Sequence, residues 1–259
     1  MIESLNLIYK AIAFFLSLFW KKKDLIYINS TKKIFDQSKI DNQRGTKNVK
    51  WIVNESKTNK IGFRFIQSHF RRMKFDLYQI QRNLNDSPKI TYAGYASVPF
   101  AIYDGYCLGD NHSYQFFDTT KNKNETYKIE FSKKRKSTNK FEIMKVQEVD
   151  LLISSSYKVD NKFANTMNFF EFDTRINDKV SAEYLSDVFY FVSDFLDACR
   201  TAGVKKVNLY CSSRQPVSFV IGTAIQSHHP QVIVYEFENN EYGWGLNIQK
   251  ARLERGINL

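Results

Sequence analysis

The sequence predicts an α/β protein of two tandem units, each a parallel sheet with crossover helices. The units pack as a pseudo-dimer and are preceded by an N-terminal apolar helix. Three observations predict this. Short apolar runs alternate with helical stretches, the pattern of parallel strands joined by crossovers. The halves repeat at one offset: Lys89 and Lys206, Pro99 and Pro216, and Gly105 and Gly222 each stand 117 positions apart. Leu5 to Trp20 lies outside the repeat as the most apolar segment of the chain.

That first segment is followed by Lys21, Lys22 and Lys23. Its 16 residues fall short of the roughly 20 that span a bilayer, and Lys10 interrupts it. Three readings fit it: a short or interfacial membrane helix, a buried or oligomerisation helix, and a signal sequence. A signal sequence would carry its positive charges before the apolar run rather than after it. Tyr9, Phe14, Phe15, Phe19 and Trp20 spread over all faces, which favours lipid or a partner over a surface helix.

Residues 24–259 form the body of the chain, with halves at about 24–140 and 141–259. Asp24 to Asn29 reads as a buried strand, and Val49 to Val53 as a second. Ile61 to Leu84 reads as a helix, with Phe63, Ile66, Phe70, Met73, Leu77, Ile80 and Leu84 in three- and four-residue steps. Ile90 to Gly94 is a strand. Ser97 and Pro99 open a helix to about Leu108, and Tyr114 to Phe117 and Tyr127 to Phe131 are strands. In the second half, Asp150 to Tyr157 is a strand ending in hydroxyls, and Asn168 to Phe172 is an apolar run. Ser181 caps a helix to Thr201, closed by Gly203. Val207 to Cys211 is a strand, Pro216 opens a helix, and Gln231 to Phe237 and Trp244 to Ile248 are strands. At the same shift Val234 matches Phe117, Trp244 matches Tyr127 and Leu246 matches Ile129. The opening strands align Asp24 with Asp150, an offset of 126, which gives the first half nine extra residues in its first loop.

The 38 basic and 27 acidic residues leave a net charge of +11, which suits a polyanionic partner. A solvated basic surface accounts for it equally well, because the lysines spread along the whole chain. Cys107, Cys199 and Cys211 have no metal spacing and indicate a reducing compartment. The four histidines form no ligand constellation. The basic run Lys121 to Lys145 reads as a solvated linker between the halves, with Lys133 to Lys136 also readable as a phosphate-binding or nuclear-type patch.

Ligands of parallel sheets sit beyond the carboxyl ends of the strands. Those ends are Ser30, Thr31 and Lys32, then Ser97, then Ser154 to Tyr157, and Ser212 to Gln215. All are small, hydroxyl-rich or basic, and in a pseudo-dimer they converge on one pocket for a ligand with several phosphates. Arg214 and the free N–H groups of the Pro216 helix are candidates for phosphate, against the plainer reading of an ordinary cap. Ser154, Ser155, Ser156 and Tyr157 are candidates for phosphate or ribose, with Tyr157 stacking a base, against the reading of turn-forming serines. Cys211 reads as core.

Tyr92 to Gly105, Val149 to Tyr157, the helix before Gly203, Val207 to Gly222, Val232 to Phe237 and Tyr242 to Ile248 resemble the SAVED domain. That domain is a fusion of two CARF-like units found in bacterial anti-phage signalling (CBASS) and some type III CRISPR systems. The resemblance covers roughly residue 24 to the end. It implies a Rossmann-like (CARF-like) tandem fold and a sensor of cyclic oligonucleotides, commonly cyclic tri- or tetra-adenylate. It also implies ligand-induced homo-oligomerisation that switches on an attached effector. Here residues 1–23 are the effector candidate, directed at the inner membrane of a bacterial cell whose cytoplasm holds the sensor. The expected ligand-binding set is Ser30, Thr31, Lys32, Ser97, Phe100, Ser155, Ser156, Tyr157, Ser213, Arg214, Gln215 and Ser218. No catalytic residue, metal or cofactor is expected, and no stable DNA partner. Two rivals remain at this level: a phosphodiesterase that degrades the messenger, and a general nucleic-acid-binding module.

Overall fold

The computed structural model describes residues 24–31, 35–41, 49–55, 63–83, 89–120, 125–134, 138–238 and 240–255. The predicted helix at 1–23 and Lys32 lie outside the described residues. Among the described residues, no helix is long and apolar enough to cross a membrane.

The first half runs β1 (Asp24–Ser30), a one-turn α1 (Ser38–Asp41), β2 (Val49–Glu55), α2 (Phe63–Asn83), β3 (Lys89–Tyr95), α3 (Val98–Leu108), β4 (Ser113–Thr119) and β5 (Thr126–Phe131). The second runs β6 (Glu148–Ser154), β7 (Phe169–Asp173), α4 (Ala182–Ala202), β8 (Lys206–Ser212), α5 (Gln215–Ala224), β9 (Gln231–Glu238), β10 (Glu241–Asn247) and β11 (Arg252–Arg255). Two sheets result, ordered β2-β1-β3-β4-β5 and β11-β10-β9-β8-β6-β7. Shifted by one repeat, the orders coincide, and β11 is an extra edge in the second. The expectation of a parallel sheet holds for four strands of each half, β2-β1-β3-β4 and β7-β6-β8-β9. It fails beyond β4 and β9, where β5 and β10 pair antiparallel with their predecessors. Those connections are too short for a crossover, so the chain returns as a hairpin.

Register corrects the alignment of the opening strands. Leu25 pairs with Ile90, while Val149 pairs with Val207. Because Ile90 and Val207 stand 117 apart, Leu25 corresponds to Val149, an offset of 124 rather than 126. The first half thus holds seven extra residues before its third strand, not nine. A slip of two keeps every side chain on the same face, so the hydrophobic pattern could not reveal it.

Local rules explain the helices. The predicted stripe of α2 buries Ile66, Phe70, Met73, Leu77 and Ile80. In α4 the Ser181 hydroxyl accepts the Tyr184 N–H at 3.1 Å, and Gly203 closes the helix at φ 81°, which only glycine adopts without strain.

The halves join through α3 and α5. A Cβ on Gly105 would lie 1.9 Å from the carbonyl oxygen of Phe219, and one on Gly222 would lie 1.9 Å from that of Ile102. Ile102 and Phe219 are themselves 117 apart, so the contact is reciprocal. Each half also inserts a ring into the other. Phe219 meets Tyr92 at 4.5 Å, Tyr114 at 5.0 Å and Phe116 at 5.4 Å, while Phe100 meets Trp244 at 5.2 Å. One continuous core therefore spans both sheets.

Within that core lies Asp104 of α3, fully buried. Its carboxylate accepts Asn29 Nδ2 at 2.6 Å, the Tyr92 hydroxyl at 2.8 Å and the Tyr27 hydroxyl at 3.2 Å. Asn29 in turn accepts His69 Nε2 at 2.9 Å, and burial holds that imidazole neutral by lowering its pKa to about 4. Burial raises Asp104 to about 7, against the lowering effect of its three donors. The native state then keeps a proton that the unfolded chain releases near pH 4, so stability falls as pH rises from 4 to 7. Wild type is expected to lose about 2–3 kcal/mol more between pH 5 and pH 8 than Asp104→Asn. Urea midpoints of both proteins across that range check it, and parallel profiles would refute it.

Candidate functional site

The carboxyl ends of β1 and β3 tie to each other. Ser30 Oγ accepts the Tyr95 N–H at 3.1 Å. Thr31 Oγ1 accepts the Ser97 N–H at 2.8 Å and lies 3.2 Å from Ser97 Oγ. All three residues are buried. Small hydroxyl residues suit this position because two strand ends and a helix start converge there. The N-terminus of α3, an expected anion site, already holds a carboxylate from the other half: Glu236 Oε2 accepts the Val98 N–H at 3.0 Å.

In the second half, the loop after β6 is pinned to the end of β8. Ser155 and Ser156 donate their N–H groups to Ser212 O at 2.9 and 2.8 Å, and Tyr157 N–H reaches Ser212 Oγ at 3.1 Å. Ser154 Oγ accepts the Val159 N–H at 2.9 Å, turning the chain outward. The result leaves Tyr157 68% exposed over the strand ends.

Here a cavity of about 390 Å³ opens, lined by Ser156, Tyr157, Lys158, Val159, Asp160, Phe163, Ser212, Ser213, Glu236, Phe237 and Tyr242, with Val98 and Cys211. That is the low end of the size range for small-ligand pockets. Its walls are aromatic. Phe163 sits 5.6 Å from Phe237 and 5.2 Å from Tyr242, both edge-on, and Phe237 lies 5.1 Å from Tyr242. Lys162 Nζ stands 5.0 Å over the Phe163 ring. Burial grades the cavity from a rim of Tyr157 and Phe237 to a floor of Val159, Cys211, Glu236 and Tyr242. Such walls accept a flat aromatic face, and the rim supplies hydroxyls and an ammonium.

Of the sequence-predicted set, Ser156, Tyr157 and Ser213 line this cavity. Ser155 is buried beneath the loop, and Ser218 is buried with its hydroxyl 2.6 Å from Ser213 Oγ. Phe100 is core, stacked on Phe70 at 5.8 Å. Gln215 reaches across the halves, donating through Nε2 to Ala96 O. Arg214 does the same: Nε pairs with Asp118 Oδ2 at 2.9 Å, and its terminal nitrogens donate to Asp178 O and Thr119 O. That side chain is 8% exposed. The Asp118 carboxyl, raised by burial and lowered by Arg214, also accepts the Tyr127 hydroxyl at 2.7 Å. Arg214 thus links the halves, away from the cavity lining.

Sequence reasoning missed Phe163, Glu236, Phe237 and Tyr242. The strand signal of β9 and β10 was visible, but not that Phe237 and Tyr242 would meet Phe163 across a cavity. Phe163 lies on a short 3₁₀ turn (Asn161–Phe163) inside a loop.

No histidine lines the cavity among the described residues. Burial pushes the Cys211 thiol up to about 12, far from a nucleophilic thiolate. Elsewhere Asp197, His228 and His229 bring ligand atoms within 4.8 Å of one another. They fit a metal poorly. His229 Nδ1 accepts the Gln226 N–H at 3.0 Å, so the neutral ring carries its proton on Nε2, facing Asp197 Oδ1 at 3.5 Å. The lone pair a metal would need is absent from that nitrogen.

Comparison with known proteins bears on this arrangement. Residues 74–248 match the family model described as "SMODS-associated and fused to various effectors sensor domain" (SAVED). No curated protein matches the chain. Among solved structures, the chain is similar to the Acinetobacter baumannii Cap4 SAVED/CARF-domain containing receptor with the cyclic trinucleotide 2'3'3'-cAAA. The TM-score is 0.55 at 12% identity, over 92% of this chain and 52% of that one. The same receptor with 3'3'3'-cAAA gives 0.52 at 13% identity, over 84% and 50%. The Moraxella osloensis Cap4 receptor gives 0.50 at 16% identity, over 86% and 49%. At these identities the likeness is one of fold, and the chain spans about half the length of those receptors.

Proposed function

The chain belongs to the SAVED family of sensor domains, and on that premise we propose that it senses a cyclic oligonucleotide messenger in bacterial anti-phage defence. The cavity over the carboxyl ends of β6, β8 and β9 is the binding site. The single observation that carries the placement is its aromatic wall, with Tyr157 exposed beside it at the carboxyl ends of parallel strands, where α/β sheets bind their ligands. A base enters between Phe163, Phe237 and Tyr242, and Tyr157 covers it. The phosphodiester ring lies across the rim, near Ser156, Ser213 and Lys158. The ligand is a cyclic tri- or tetra-adenylate; the Acinetobacter baumannii receptor of similar fold is described with the cyclic trinucleotides 2'3'3'-cAAA and 3'3'3'-cAAA. Binding drives association of protomers in the cytoplasm and gathers residues 1–23 into a membrane-directed output.

The test is a thermal-shift and affinity panel of cyclic di-, tri- and tetra-adenylates with linear controls. Cyclic species are expected to raise the melting temperature and linear ones to leave it unchanged. Stabilisation by no cyclic species would overturn the reading. Tyr157→Ala is expected to weaken binding at least tenfold, since base–aromatic stacking contributes about 1–3 kcal/mol. Its unliganded melting temperature should stay within about 1 °C, because the ring is mostly solvated and such surface changes cost little.

A further inference from the structure

The outer helices of the two halves, α2 and α4, repeat each other's burial at an offset of 119. Buried Ile66, His69, Phe70, Met73, Leu77 and Ile80 fall on buried Leu185, Val188, Phe189, Val192, Leu196 and Cys199. Two further positions of α4, Ser186 and Phe195, are buried and break the match. Their counterparts on α2 are Gln67, exposed, and Asp76, half-buried. The extra pair on α4 is covered by the strap of chain that precedes β6. The Lys134 N–H donates to Ser186 Oγ at 2.8 Å, the Asn139 N–H donates to Asp194 Oδ2 at 2.9 Å, and the Phe141 ring lies 5.4 Å from Phe195. On α2 the counterpart of Asp194 is Phe75, which is 62% exposed.

Residues 1–23 precede β1 as that strap precedes β6. Carried back by the 124 positions that relate Val149 to Leu25, Asn139 falls on Phe15 and Phe141 on Ser17. At each contact the two partners change character together. Asn139 against Asp194, polar on polar, becomes Phe15 against Phe75. Phe141 against Phe195, ring on ring, becomes Ser17 against Asp76. The Asp76 Oδ2 is shielded from solvent and has no hydrogen-bond partner among the described residues. We propose that Leu5 to Trp20 dock along α2 of the same chain, with Phe15 on Phe75 and the Ser17 hydroxyl donating to Asp76. Burial of apolar side chains and an aromatic pair hold the segment there. The contact stands on the repeat alone. Its consequence rests on the sensor reading: a membrane-directed output requires release of the segment from α2.

Disulfide trapping in the full chain, without ligand, tests the contact. Phe15→Cys with Phe75→Cys is expected to close an intramolecular bond under mild oxidation, since a disulfide needs Cα atoms about 4.4–6.8 Å apart. Phe15→Cys with Arg64→Cys, about 16 Å along the helix from the first site, is the control and should stay open. Peptide mass mapping separates the new bond from any formed by Cys107, Cys199 or Cys211. A second measurement needs no cross-link. Maleimide should label Phe75→Cys at least about fivefold more slowly than Arg64→Cys, because a docked site reacts only on local opening. Adding Phe15→Asp should remove that difference. A bond that forms only between chains would assign the face to a second copy and overturn the proposal. No preference for the first pair over the control overturns it, and so does slow labelling that Phe15→Asp leaves unchanged. Ligand binding enters none of these outcomes, so the sensor reading is decided by its own panel.

Discussion

Gly222→Ala is expected to lower the unfolding free energy by about 3–5 kcal/mol, and Gly105→Ala by a similar amount. Each new Cβ would sit 1.9 Å from a carbonyl oxygen of the opposite helix, about half a normal contact distance. The obstacle is backbone, so no side chain can rotate away. The helices must separate by more than an ångström. Separation unpacks Phe219 from Tyr92 and Tyr114, and Phe100 from Trp244. Overpacking of this kind costs about 1–3 kcal/mol where the neighbours can yield, and the rigidity here puts it at or above that limit. For a domain of this size each kcal/mol lowers the melting temperature by about 2–4 °C, so a fall of roughly 6–20 °C is the readout. Alanine at Gly243, where a Cβ meets nothing within 4 Å, is the control and should change little. A stable Gly222→Ala protein would mean that the crossing of α3 and α5 is looser than described.

Arg214→Met is expected to cost about 3–5 kcal/mol at pH 8, the scale of breaking a buried pair from one side. The guanidinium bonds Asp118, Asp178 and Thr119, so its loss leaves a mostly buried carboxylate with only the Tyr127 hydroxyl among its described side-chain partners. The pH dependence carries a sign. Burial already raises Asp118 above its ordinary value, and removing the cation raises it further. A folded-state carboxyl with a raised pKa contributes stability that is present at low pH and lost as pH rises through that pKa. The cost should therefore be smaller near pH 4 than at pH 8, and Arg214→Met combined with Asp118→Asn should recover part of it. Affinity for a cyclic oligonucleotide should change by less than about threefold, because Arg214 does not line the cavity. A large affinity loss at unchanged stability would instead return Arg214 to the phosphate-binding role its position in the sequence suggests.

Arg214 and Tyr157 hold comparable places in the sequence and very different ones in the structure. Both stand in polar loops at strand ends, and both were candidates for the ligand. Tyr157 is held outward because its own N–H and those of Ser155 and Ser156 are fastened to Ser212, itself 55 positions beyond Tyr157. Arg214 turns inward to Asp118, 96 positions away, a partner that no local rule names. Glu236 is a similar case: a lone acidic residue in a strand gives no signal until Val98 is brought 138 positions closer.

What the sequence by itself determined is the order of elements and the repeat. Apolar periodicity sets the strands and helices, since burial of one face is a local requirement met residue by residue. The 117-residue recurrence of Gly105 and Gly222 was legible as a repeat, and the structure adds its reason, a backbone approach that only glycine permits. What only the tertiary structure decided is strand register within a two-residue slip, the antiparallel edges, and the identity of the cavity wall. Those depend on side chains from distant segments meeting at the ends of strands. The free energy that places them belongs to the packed pair of halves, not to any stretch that can be read alone.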